Sequence, residues 1–240
     1  MAKIFNKLLF IYLFGILTAE NNNKELALNH FMQGEFLMNQ GNYALAILEF
    51  QDAIELDPNA STIHVSIADG YSRIGKLSKA EDHLGIALEL DSEEKEALEM
   101  LGQIFLSQKR YEEAKKTYQK LSDLEPNNVD FIFTLADLAR IERDWNLAID
   151  YYVQAYETNS LAVTGLEQAL QIALTISDFD RAQDICALLL QENPKNIDLL
   201  ETMKDLTLFN GNYEESLKIL KKIEEINGQS NEILIQRSEE

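Results

Sequence analysis

Three histidines and one cysteine are the side chains of this 240-residue chain best suited to ligating a transition metal or to acting as nucleophile or base. His30 and His64 lie one 34-residue step apart, so a two-histidine metal pair is conceivable. No further His or Cys joins them, however, and protein zinc sites use at least three side-chain ligands. Both histidines fall on an apolar helical face, where a buried structural role is expected. His83 stands beside Glu81 and Asp82, the setting of a solvated helix surface. Cys186 is the only cysteine, which rules out an internal disulfide and any thiolate-based zinc site. It occupies an apolar phase and reads as a small core residue. Acid pairs such as Glu112 and Glu113 read as helix-surface charges, since adjacent helical residues do not face one another. The chain contains no Gly-rich phosphate loop, no G-x-S-x-G and no H-E-x-x-H. Asn59-Ala60-Ser61 matches a glycosylation sequon, but it lies where a turn and helix cap are needed anyway. These residues point to no catalytic centre, no cofactor and no metal, and the chain reads as a non-enzyme.

The spacing of these residues reflects the elements that carry them. Counted in steps of 34 from Ala27, units begin at Ser61, Lys95, Val129, Val163 and Ile197, without insertion or deletion. Position 20 of each unit is Ala46, Ala80, Ala114, Ala148, Ala182 and Ser216. Position 17 is Tyr43, Leu77, Tyr111, Trp145, Phe179 and Tyr213; position 24 is Phe50, Leu84, Tyr118, Tyr152, Cys186 and Leu220. Position 32 is always a turn-former: Pro58, Ser92, Pro126, Ser160, Pro194 and Gly228. Apolar residues at 4, 7 and 11, and again at 17, 20, 24 and 27, predict two amphipathic helices per unit. Position 15, glycine at 41, 75 and 211, sits where a left-handed residue closes the first helix. Position 20 must be small because the second helix crosses the first there, and the ring at 17 fills the joint to the neighbouring hairpin. Pro or Ser at 32 ends the second helix.

The pattern resembles the tetratricopeptide repeat, a 34-residue helix–turn–helix. Unit 1 shows it as Gly34, Leu37, Ala46, Phe50 and Pro58; unit 3 as Leu101-Gly102, Phe105, Ala114, Tyr118 and Pro126. The resemblance covers residues 27 to about 230 and implies an all-α fold, a right-handed superhelical solenoid of helix–turn–helix units at 27–60, 61–94, 95–128, 129–162, 163–196 and 197–230. Residues 20–26 are then a linker and 231–240 a short capping helix or tail. The pattern weakens toward the end, with Leu170 and Lys204 at position 8 and Ser216 and Gly228 in unit 6.

Resemblance to this family implies binding of an extended or helical segment of another protein on a concave surface lined by the first helices, rather than a reaction. The positions that face inward in the family are 2, 5, 9, 12 and 13. Position 9 holds Glu35, Asp69, Gln103, Asp137, Gln171 and Asp205: acids and amides only. Position 2 adds Glu96, Asp130 and Asp198. Position 5 contributes Glu99, Glu167 and Glu201 among Phe31, Val65 and Phe133; position 12 contributes Met38, Leu106, Leu174 and Leu208. First helices about 10 Å apart place these carboxylates close to one screening length, about 8 Å in physiological salt. They share a negative potential without forming a metal cage. Such a column also suits the solvated face of an acidic protein, but Phe31, Leu106, Phe133 and Leu208 beside the acids favour a groove for basic or amphipathic segments. The relatives that clamp a C-terminal carboxylate use Lys at position 5 and Asn at 9; neither is present.

Composition agrees. The net charge of −20 gives no basic surface for nucleic acid or anionic lipid. Residues 1–19 differ from the rest, with Lys3, Lys7 and the apolar run Leu8–Ala19. Twelve residues suit a secretory signal better than a membrane span of about 20, with Leu17-Thr18-Ala19 as the cleavage site; an uncleaved anchor is the alternative. Either would send the chain out of the cytoplasm, with membrane contact only through this segment. Export without disulfides, in an Asn-, Lys- and Ile-rich chain, suggests a Gram-negative periplasm and a role in assembling envelope complexes.

Overall fold

The computed structural model describes residues 22–239, and the expected signal or anchor at 1–19 lies outside them. The described residues are helical throughout, with no strand among them. Helix α1 covers 22–39. It is followed by α2 (Tyr43–Leu56), α3 (Ser61–Arg73), α4 (Leu77–Leu90), α5 (Lys95–Ser107), α6 (Tyr111–Leu124), α7 (Val129–Ile141), α8 (Trp145–Thr158), α9 (Val163–Thr175), α10 (Phe179–Glu192), α11 (Ile197–Phe209) and α12 (Tyr213–Glu239). From α3 to α11 the odd-numbered helices run from position 1 to 13 of the 34-residue register. The even-numbered helices α2 to α10 run from 17 to 30. The chain divides into two compact units, one ending at Leu124 and the other beginning at Glu125.

Each repeat closes its first helix in the same way. The residue at position 15 is left-handed in all six: Gly41, Gly75 and Gly211 at φ 74–77°, and Lys109, Arg143 and Ser177 at φ 59–62°. Its N–H bonds the carbonyl of position 12, and the next N–H bonds that of position 11, as in Gly41 to Met38 (2.9 Å) and Asn42 to Leu37 (2.9 Å). This Schellman pair satisfies carbonyls the helix would otherwise leave open.

The alanines at position 20, Ala46 through Ala182, are fully buried. Gly34 and Gly102, at position 8, lie beneath the rings at position 24. A Cβ on Gly34 would stand 2.4 Å from the Phe50 ring, and one on Gly102 2.8 Å from Tyr118. The fifth repeat reverses the sizes, with Leu170 and Cys186 both buried in one apolar cluster of the second unit. Leu170 at position 8 is therefore a compensated exchange rather than decay of the pattern.

Two boundaries differ from expectation. Residues 22–26, read as linker, belong to α1: once Ala27 onward is packed, each added residue gains a hydrogen bond at little cost. Gly228 does not stop the last helix, and 231–239 continue α12 instead of forming a separate cap. Glycine, unlike proline, keeps its N–H and fits a helix interior at a cost of about 1 kcal/mol. Asn59-Ala60-Ser61 lies at a turn and helix start as expected: the turn covers 58–59, the cap residue is Ala60, without a side-chain bond, and Ser61 donates to Glu94 at 3.1 Å. No helix of the described residues is long and apolar enough to cross a membrane.

Candidate functional site

In the unit ending at Leu124, the acidic columns converge. Glu35 and Asp69 are half-buried, and Gln103 is exposed. Ser66 on α3 donates to Glu35 at 2.9 Å, and Arg73 pairs with Asp69 at 2.8 Å. Glu96 reports the field that remains. Its side chain is exposed, yet its carboxyl is held above the usual range, first by partial loss of solvent and then by the negative charges of Glu94, Asp69, Glu35 and Glu99. Glutamates and an aspartate from α1, α3 and α5 thus act on one point. Met38 and Leu106 are half-buried beside them. Phe31 packs its ring on Phe50, 5.7 Å between centroids, and lines a cleft of 270 Å³ with Leu28, Asp57, Ala60 and Thr62.

In the unit beginning at Glu125, the same columns are used differently. Asp137 accepts the Tyr152 hydroxyl at 2.6 Å and pairs with Arg140 at 3.1 Å. Burial and this carboxylate push the Tyr152 phenol up to about 12. Asp137 therefore ties the groove column to the hairpin core. Phe133 is likewise committed, tilted against Tyr152 at 6.0 Å and 3.3 Å from where a Gly165 Cβ would stand. Glu167, Gln171, Glu201, Asp205 and Leu208 are exposed. Asp205 borders a cleft of 330 Å³ walled by Leu174, Phe179, Leu206 and Phe209. Phe209 is 70% exposed although its ring lies 4.3 Å from Phe179. The column reading missed Phe209, yet a lone aromatic at inward position 13 was a legible signal.

The histidines do not form the adjacent pair that their spacing allowed. His64 is buried and meets His83 instead, Nδ1 to Nδ1 at 3.1 Å. Tyr71 also stacks on His83 at 5.6 Å, so His83 is half-buried rather than solvated surface, because position 23 faces position 4 across the hairpin. His30 is half-exposed, not buried, with Nδ1 2.8 Å from Glu49. Cys186 is buried, its thiol pushed up to about 11 by loss of solvent, and Sγ donates to the Leu199 carbonyl at 3.3 Å. A thiol held so far from ionisation is a packing group, not a nucleophile.

Residues 27–60 and 65–129 match family models described as tetratricopeptide repeat. These stretches carry tetratricopeptide repeats. A relative of these TPR stretches, the small glutamine-rich tetratricopeptide repeat-containing protein 2 of Mycosarcoma maydis, is 33% identical over 40% of this chain and 27% of its own length. The chain thus spans about a quarter of that relative. A solved TPR protein from Parabacteroides merdae superposes with a TM-score of 0.59 at 17% identity, over 83% of this chain and 79% of its own. YrrB, a TPR protein with an unusual peptide-binding site, gives a TM-score of 0.51 at 23% identity over 79% of this chain and 97% of its own. At these identities the likeness shows the fold: an all-α helical repeat.

Proposed function

We propose that the chain is an exported adaptor that holds a basic or amphipathic segment of another protein along its acidic inner columns, in the assembly of a cell-envelope complex. The TPR repeats supply the protein–protein interaction scaffold. The chemistry of the segment is read from Glu96: its raised carboxyl is relieved by a cation arriving among Glu35, Asp69 and Glu99, while Met38 and Leu106 offer apolar contact alongside. The peptide-binding site of YrrB supports the same use of the fold. Export rests on Lys3, Lys7 and the apolar run that follows. If that run stays uncleaved, the chain becomes a membrane-tethered accessory subunit of a secretion machine; a mature N-terminus at Glu20 would remove the tether.

The test uses a labelled amphipathic Lys/Leu peptide, its Glu-for-Lys counterpart, and a Glu96→Lys, Glu99→Lys variant. These positions are preferred to Asp137, whose reversal would also break the Tyr152 bond. Wild type should bind the basic peptide at least tenfold more tightly than either the acidic peptide or the variant does, with helicity unchanged by circular dichroism. Equal binding by wild type and variant overturns the proposal.

A further inference from the structure

The first hairpin departs from the repeat at three positions together. Position 4 is an aliphatic packing residue in the last four repeats, where Leu98, Ile132, Leu166 and Leu200 are all buried. In the first repeat it is His30. Positions 23 and 26 of the same hairpin are Glu49 and Asp52, whereas the fifth repeat has Ile185 and Leu188 there. The fold therefore needs no polar group at any of the three places. Glu49 and Asp52 are three residues apart on α2 and share one face, which looks onto His30 of α1. His30 Nδ1 stands 2.8 Å from Glu49 Oε2 and 4.0 Å from Asp52 Oδ2, and one ligand atom from each residue lies within 4.8 Å of the others.

We propose that His30, Glu49 and Asp52 form a binding site for a divalent first-row transition metal, with zinc as its natural probe. Zinc bonds imidazole nitrogen and carboxylate oxygen at about 2.0–2.2 Å, which sets neighbouring ligand atoms about 2.9 Å apart at right angles and about 3.4 Å apart in a tetrahedron. The His30–Glu49 separation already meets the first figure, and the exposed Asp52 side chain closes the rest by rotation. One imidazole with two carboxylates selects zinc, cobalt or nickel over calcium and magnesium, which take oxygen ligands alone. The half-exposed setting leaves the remaining coordination positions to water. The chain's charge of −20 further favours a cation.

Zinc binding to the full chain, followed by competition with a chelating dye, tests the site. Wild type should bind one more equivalent than His30→Gln, and Asp52→Asn should weaken that equivalent at least tenfold. Cobalt should give wild type, but not His30→Gln, a visible absorption band, and calcium should not displace zinc. Asp52 is exposed, so its variant decides the matter if His30→Gln fails to fold. Unchanged zinc binding in Asp52→Asn, or displacement of zinc by equimolar calcium, would overturn the proposal in favour of diffuse attraction to an acidic surface.

Discussion

In the unit ending at Leu124, Gly34 and Gly102 lie under the rings of Phe50 and Tyr118. In the unit beginning at Glu125, the fifth repeat places Leu170 and Cys186 at the same two positions, both buried. The hairpins share one register, one turn and one pair of helix lengths, yet volume passes from one helix to the other. The repeat thus conserves the sum of two side chains across a contact, since interiors are filled to crystal-like density. The charge columns, free of that requirement, diverge further: in the first unit Glu35, Asp69 and Glu99 act together on Glu96, while in the second Asp137 is bound to the core through Tyr152.

The largest effect should come from imposing the fifth repeat's solution on the third. Gly102→Leu should cost about 3 kcal/mol, the upper end for an overpacked core, because even a methyl group would meet the Tyr118 ring. Tyr118→Cys should cost about 3 kcal/mol by leaving a cavity. Together they should cost about 1–2 kcal/mol less than the sum, the coupling of side chains in contact. Urea unfolding of the four chains measures this. Strictly additive losses would mean that the two positions do not trade volume, and that Leu170 needs another explanation.

The turns offer a second contrast. The first unit closes two of its three hairpin turns with Gly41 and Gly75 and the third with Lys109; the second uses Arg143, Ser177 and only one glycine, Gly211. A side chain in the left-handed region costs about 1–2 kcal/mol, offset in part by the entropy glycine loses on folding. Arg143→Gly and Ser177→Gly should each raise stability by about 0.5–1 kcal/mol, and Gly75→Ala should lower it by about 1 kcal/mol. Midpoints that fail to move in opposite directions would show that the strain is relaxed elsewhere in the turn.

The limits of α2 to α11 were legible in the sequence because they depend on local devices that recur: a small residue at 20, a ring or leucine at 17, a turn-former at 32. The left-handed turns at Lys109, Arg143 and Ser177 were not, since nothing in those residue types demands positive φ; only the phase of the three glycines hinted at it. The acids at positions 2, 5 and 9 were legible as columns of one register. Their division into a shared field around Glu96 and a core tie at Asp137 was not, because Tyr152 sits fifteen residues from Asp137 and meets it only after the hairpin closes. His30 and His64 were legible as position 4, but their partners at position 23 depend on the facing of two helices.

The smallest expected effect is a pH response confined to the first unit, which holds all three histidines. Burial, and then the charge of His83, holds the His64 imidazole below its ordinary value. His83 is lowered by burial, with Lys79 adding to the shift and Asp82 opposing it. Between the folded values and the unfolded value of about 6.5, the unfolded chain binds more protons. Stability is therefore complete above about pH 6.5 and is lost as pH falls through the folded values. The loss stays small because half-exposed His83 is partly screened by solvent. Hydrogen exchange should show α3 and α4 loosening between pH 7 and pH 5, while α9 and α10, with no histidine between them, keep their protection. His64→Leu, which installs the residue that the third, fifth and sixth repeats carry at position 4, should flatten the response of α3 and α4. Equal loosening in both units would trace the response to carboxylates common to the whole chain, and would remove the histidine pair from the contrast between them.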